Sequence, residues 1–254
     1  MPAFQSSAYR LHYRWGAGYD PQRSTVVLLH DGLGAIGSWR SLPERLAGAL
    51  GANTLVYDRW GYGASEARPR FAARFMEAEV PILLELLEHL RVPRAALVGH
   101  SDGGSIALLC AAWHPRRVRA VVTEAAHTFV EPETQAGIRA LVALQAAGRT
   151  PGWLVKLHGE RADDLLRAWS DHWLSPVHAR WDIRPELPAV HCPVLAVQGD
   201  ADEFGTPAQV DSIVAAVAGA QSWIVPGCGH TPHSQAEDAF VARVSAFLRP
   251  HLAD

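Results

Sequence analysis

Apolar residues fall along the chain in two alternating rhythms. Short continuous runs occur at Val26–His30, Thr54–Tyr57, Ala95–Gly99, Val118–Thr123, Val194–Gln198 and Ser222–Val225. Each is rich in Val, Leu or Ile, the pattern of strands buried on both faces. Upstream, Ala8–Trp15 alternates apolar and polar positions, as a half-exposed hairpin strand does. Between the runs, helical spacing predicts helices at Trp39–Leu50, Phe75–Leu90, Gly103–Trp113, Pro207–Val217 and Ala236–Leu248. Pro81 predicts a kink or a later start in the second of these. Strands alternating with helices predict an α/β fold, with a mainly parallel sheet and helices on both faces.

The rhythm breaks once. Between Glu124 and Cys192 no strand-like run occurs, but helical patterns do, at Glu133–Ala147 and Ala162–Trp173. An insertion of that size predicts a helical lid rather than a structureless loop. The expected division is a core domain of residues 1–127 and 191–254, with a cap at 128–190. That cap carries four of the nine tryptophans, Trp153, Trp169, Trp173 and Trp181. They either seal the cap onto the core or line an apolar substrate pocket, and the two roles are compatible.

Composition narrows the function. With 48% hydrophobic residues the chain can bury a sizeable core, and a formal net charge of -3 offers no basic field for nucleic acid or an anionic membrane. Of 23 basic residues only Lys156 is a lysine. No apolar stretch reaches the length of a membrane span, and the first residues lack the pattern of a signal peptide. The cysteines Cys110, Cys192 and Cys228 are odd in number and have no C-x-x-C spacing, which fits a reducing compartment. The expectation is a cytoplasmic protein acting on a small molecule, with no metal and no cofactor. Neither a P-loop nor a dinucleotide fingerprint is present, since Gly32-Leu33-Gly34 lacks the third glycine and the distal acid.

Candidate chemistry begins at Gly99-His100-Ser101-Asp102-Gly103, a G-x-S-x-G motif between a buried strand and a helix. A sharp turn there projects a serine hydroxyl above the sheet. A hydroxyl needs a base to take its proton. Among 13 histidines, His230 stands in a turn placed directly after the last strand run; His233 is its nearest rival. The base needs a carboxylate to fix its tautomer. Asp202, after the Val194–Gln198 run, is the first choice, with Asp200 read as a turn residue. Glu124, ending the Val118–Thr123 run, is the competitor. The order Ser101, Asp202, His230 suits a nucleophile-elbow architecture. The oxyanion requires two backbone N–H donors, expected from Asp102 and from Gly32 in the His30–Gly34 loop.

With these pieces the chain resembles the α/β-hydrolase superfamily over essentially its whole length. The stretch Asp58–Ser65 resembles that family's D-x-x-G-x-G-x-S motif, which is structural. The loop departs from the usual His-Gly-x-x form by carrying Asp31, a carboxylate that would oppose an oxyanion unless it points away. Asp31 is therefore expected to bind backbone or an arginine. The form His-Asp-Gly-Leu-Gly is also similar to the loop of some fungal lactone hydrolases, which likewise place a glutamate after the following strand.

The resemblance implies hydrolysis of a carboxylic ester or lactone through an acyl-enzyme. Carbon–carbon bond hydrolysis of the ring-cleavage type is the second reading, and cofactor-free perhydrolase or oxygenase chemistry is a further possibility. Dehalogenases and epoxide hydrolases of this fold use an aspartate where this chain has Ser101. A non-catalytic small-molecule receptor on the same fold is the alternative of a different class. Expected pocket residues are Leu33, His127, Phe129, Trp153 and Trp173. Oligomeric state is not legible.

Overall fold

A computed structural model describes residues 2–68 and 70–253. Its centre is an eight-stranded sheet. In chain order the strands are β1 (Ala3–Gln5), β2 (Arg10–Trp15), β3 (Thr25–Leu29), β4 (Asn53–Tyr57), β5 (Ala95–His100), β6 (Val118–Glu124), β7 (Val194–Gly199) and β8 (Gln221–Val225). They lie in the order β1-β2-β4-β3-β5-β6-β7-β8. β1 and β2 form the antiparallel edge, with β2 antiparallel to β4, and every later pairing is parallel. The expected hairpin strand is thus a short pair.

Alternate residues of each strand serve opposite faces. Val26 and Leu28 join a core layer beneath α1 (Leu42–Leu50) and α9 (Glu237–Leu248), whereas Val27 and Leu29 join the layer beneath α2 (Phe75–His89) and α3 (Asp102–Trp113). Burial on both sides is why these strands read as continuous apolar runs. α3 is buried from Asp102 to Ala112, so its sequence carries no polar stripe.

Several boundaries differ from the sequence expectation. Ile36–Trp39 forms a 3₁₀ turn ahead of α1 rather than its first turn. α2 runs through Pro81, which lies on its exposed face, where water can satisfy the carbonyl left without a partner. The last predicted helix is α9, and a short helix not expected from sequence, α8 (Pro232–Gln235), precedes it. Between β6 and β7 lie α4 (Pro132–Ala146), α5 (Gly152–His158) and α6 (Ala162–Trp173), followed by 3₁₀ turns and then α7 (Ala208–Ala216) beyond β7.

After β3 the chain steps to β4 on one side, then to β5 on the other. The carboxyl ends of β3 and β5 therefore face a topological switch point, where open α/β sheets hold their ligands. The loop 30–34 and Ser101 follow these two strands. No helix among the described residues is long and apolar enough to cross a membrane.

Candidate active site

Ser101 joins β5 to α3 with φ 53° and ψ -120°, a conformation that L-residues rarely adopt. Strain of this kind costs on the order of 1–3 kcal/mol and persists only where the surroundings enforce it. They do: Ser101 N–H donates to the Glu124 carbonyl at 2.7 Å, and the Ser101 carbonyl receives Gly104 N–H at 2.9 Å. A side chain at Gly103 would meet the Leu29 carbonyl oxygen at 2.0 Å, so the turn closes only with glycine there.

On the wall of the cavity that Ser101 also lines, His230 Nδ1 lies 2.8 Å from Asp202 Oδ1, and the Asp202 side chain is 1% exposed. Burial alone would raise the Asp202 pKa, but hydrogen bonding and charge from His230 hold it below the usual range. The same oxygen caps Phe204 N–H at 2.9 Å. Asp200, the alternative in that turn, accepts Gly227 N–H at 2.7 Å and ties the acid turn to the histidine turn.

The rival residues pair with each other. Glu124 accepts His233 N–H at 2.6 Å and lies 2.8 Å from His233 Nδ1, both residues being buried. The structure thus contains two carboxylate–histidine pairs, Asp202–His230 and Glu124–His233. His100, one residue before the serine, completes the second cluster. Its Nε2 lies 2.8 Å from the His230 carbonyl and its Nδ1 lies 3.7 Å from Asp31 Oδ1. Donor atoms of His100, Glu124 and His233 fall within 4.8 Å of one another, a spacing that could hold a metal ion. Within the protein Glu124 is hydrogen-bonded to His233, and His100 to the His230 carbonyl.

Asp31 lines the cavity with its carboxylate held by backbone and by His100. Its Oδ2 accepts Leu33 N–H at 3.3 Å, so backbone is indeed a partner, but its ionic partner is His100 and not an arginine. Arg59, fully buried, instead donates to the Asp31 carbonyl at 2.7 Å. His30 braces the loop from below: its Nε2 accepts Arg59 N–H at 3.0 Å and its Nδ1 lies 2.8 Å from the Asp31 carbonyl. Burial, assisted by Arg59, lowers the His30 pKa to about 3, so it is neutral. Gly32 and Asp102 N–H groups have no protein acceptor among the described residues. A side chain at Gly32 would strike Trp169 Nε1 at 2.3 Å. Trp169 donates to Asp102 Oδ2 at 3.3 Å, and burial pushes the Asp102 carboxyl up to about 6 despite Arg59 nearby. Asp58 receives Ile36 N–H and Ala64 N–H, and its carbonyl receives Ser65, a purely cross-linking set.

A cavity of about 790 Å³ opens over Ser101 and His230. Of the expected pocket residues, Leu33, His127, Trp153 and Trp173 line it. Phe129 does not. It bridges to Asp182 and stacks under Arg184 at 4.3 Å, so the chain turns it away from the cavity. Sequence reading missed Phe204, which packs on the His230 ring at 4.7 Å, together with Ile138, Leu141, Leu144 and Leu157. Trp169 was recognisable as a partner of Trp173, one helical turn away on α6. α5 is fixed to the core by His158, whose Nε2 lies 2.8 Å from the Leu33 carbonyl and whose Nδ1 accepts Gly63 N–H at 3.0 Å.

The chain is similar to known proteins over most of its length. A family model described as "alpha/beta hydrolase fold" matches residues 25–187. "Serine hydrolase BPHL" of Mus musculus is 29% identical over 252 residues, covering 94% of this chain and 83% of that protein. The "2-hydroxy-6-oxo-6-phenylhexa-2,4-dienoate hydrolase" of Burkholderia cepacia is 25% identical over 268 residues, covering 95% and 92%. In structure, the enol-lactonase from Burkholderia xenovorans matches with a TM-score of 0.76 at 26% identity, covering 97% of this chain and 99% of the other.

Proposed function

The chain belongs to the α/β-hydrolase family, and from that premise we propose that it cleaves a carboxylic ester or lactone of a small, apolar or aromatic substrate through an acyl-enzyme on Ser101. The observation that carries the reading is that the His230–Asp202 pair and the strained Ser101 meet at one largely apolar cavity, which Ser101 and His230 both line. Ser101 Oγ attacks the substrate carbonyl while His230 Nε2 takes its proton. Asp202 keeps the His230 proton on Nδ1 and stabilises the imidazolium. The N–H groups of Gly32 and Asp102 receive the oxyanion, the second at the N-terminus of α3, where the helix dipole adds to the attraction. Collapse of the intermediate breaks the ester bond, and His230 returns its proton to the leaving alcohol. Water, deprotonated by His230, then releases the acid and restores the serine.

The segment 128–190 acts as the cap in this reading. Ile138, Leu141, Leu144, Trp153, Leu157, Trp169 and Trp173 give the cavity an apolar wall, and its volume suits a small organic molecule. Lys156 stands at its edge. Carbon–carbon bond hydrolysis is the second reading, favoured by the likeness to the Burkholderia cepacia dienoate hydrolase. The Asp202–His230 pair and the strained Ser101 on one cavity wall support catalysis over the non-catalytic receptor reading. The compartment is proposed to be the cytoplasm.

A panel of p-nitrophenyl esters, aryl lactones and a vinylogous 1,5-diketone acid separates the readings. Steady-state turnover of esters or lactones well above that of the diketone is expected. Turnover of the diketone alone would transfer the assignment to carbon–carbon cleavage. Binding without turnover of any of them would favour the receptor.

A further inference from the structure

The second carboxylate–histidine cluster is buried, adjoins the cavity and has no part in the mechanism above. Its geometry gives it one. A carbonyl oxygen only accepts hydrogen bonds, so His100 Nε2, 2.8 Å from the His230 carbonyl, must carry hydrogen. Nδ1 on the other side of the ring faces the Asp31 carboxylate at 3.7 Å. Glu124 lies within 4.8 Å as a second carboxylate. His233, which Glu124 holds through both its backbone and its ring, follows His230 by one turn of chain in α8. The Trp39 ring covers both histidines, at 6.3 Å from His100 and 4.9 Å from His233. The titratable groups facing His100 are therefore Asp31 from the loop after β3, Glu124 from the end of β6, and His230 and His233 from the segment after β8.

We infer that His100 is a positioning residue: in its doubly protonated form it fastens the backbone of His230, the oxyanion loop through Asp31 and the Glu124–His233 pair into one unit, so that the base and the oxyanion donors are held in register with Ser101. The inference rests on the assignment of His230 as the base. Three loops arising from three separate strands carry the reacting groups, and among the described residues no backbone hydrogen bond joins the oxyanion loop, the elbow and the His230 turn to one another. One cation between two carboxylates, bonded to a carbonyl of the third loop, supplies that join.

The electrostatics agree. Burial opposes charge on His100, but Glu124, Asp31 and the hydrogen bond to the His230 carbonyl more than offset it and raise its pKa to about 9. His100 holds Asp31 below the carboxylate range, and His233 together with His100 holds Glu124 below it, each against the effect of burial. Loss of the His100 proton therefore removes the cation between Asp31 and the buried Glu124, and activity should fall along an alkaline limb near pH 9.

The test is the pH profile of kcat and KM for wild type and for His100→Gln, whose amide can still donate to the His230 carbonyl but carries no charge. Wild type should lose kcat above about pH 9 with KM nearly unchanged. His100→Gln should lack that limb and sit about 10²-fold below wild type in kcat at neutral pH, the scale of a 1 Å misplacement of reacting groups. His100→Leu, which removes the donor as well, should fall further. A profile of His100→Gln that keeps the wild-type limb, or a wild type with flat kcat through pH 10, would overturn the inference. Should the variants not fold, ¹⁵N spectra of the wild-type imidazoles decide the matter: both His100 nitrogens protonated at pH 8 support it, and a neutral ring there refutes it. His230→Ala isolates the premise, since turnover surviving in that variant removes the base assignment whatever His100 does.

Discussion

At the scale of single residues, the account depends on which carboxylate serves which histidine. Asp202 touches His230, and Glu124 touches His233. Asp202→Asn disturbs the tautomer of the base while leaving the packing intact. It should lower kcat on the order of 10³–10⁴-fold, with unfolding free energy changed by no more than about 1 kcal/mol. Glu124→Gln weakens bonds at a buried anion and should destabilise by about 1–3 kcal/mol, while losing only about tenfold in kcat. Steady-state kinetics and urea denaturation of the two variants check this, and the opposite pattern would exchange the two acids. Ser101, His230 and Asp202 were legible as candidates because each sits just past a buried strand run, a local signal. Sequence also makes Asp202 the first choice as partner of His230, but leaves Glu124 as a competitor because it too lies at the sheet's carboxyl edge. Only the backbone path after β8, which brings His233 rather than His230 to Glu124, separates them.

At the scale of elements, the strands read well because burial on both faces writes a continuous apolar run, and the helices read well except at their ends. The last helix, α9, follows the predicted Ala236–Leu248 closely, whereas the single turn α8, which carries His233 to Glu124, is too short to leave a periodic signal. The helical insertion was legible as helices, but which of its tryptophans meet the cavity was only partly so. A residue's face depends on how α5 and α6 dock, and that docking is set by His158 on the oxyanion loop and Trp169 on Asp102. Phe129 shows the same limit, since proximity to Glu124 in sequence did not place it in the cavity. Trp153 is 48% exposed and Trp173 is 1% exposed, though both line the cavity. Trp153→Ala should therefore change unfolding free energy by no more than about 0.5 kcal/mol while raising KM for aromatic esters. Trp173→Ala should cost about 3–5 kcal/mol. Denaturation midpoints and KM values measured together distinguish wall from core.

At the scale of the whole molecule, titration of the interior fixes where the fold is most stable. Burial lowers His30 to about 3 and His127 to about 4, so these rings stay neutral in the folded chain. Unfolding lets each take up a proton below its ordinary pKa of about 6.5, and stability falls with acid from there by up to about 1.4 kcal/mol per pH unit for each. His100 acts in the opposite sense. Its raised pKa gives stability that is present below about 6.5 and lost as pH rises toward about 9. Burial also raises Cys110 to about 12 and Cys192 to about 11, adding to the alkaline loss. Urea denaturation from pH 5 to pH 10 should give a maximum near pH 6.5–7, and a stability that climbs steadily to pH 9 would contradict the interior described. The architecture, a mainly parallel α/β sheet, followed from periodicity alone; the charged network under the loops did not, because it joins residues from four distant segments. The central claim, an activated serine in one cavity, is tested most directly by treating wild-type and Ser101→Ala protein with a fluorophosphonate and weighing the intact chains. One covalent adduct on the wild type and none on the variant, with ester turnover lost by about 10³-fold or more, is the result expected. Equal labelling of both, or undiminished turnover by the variant, would contradict it.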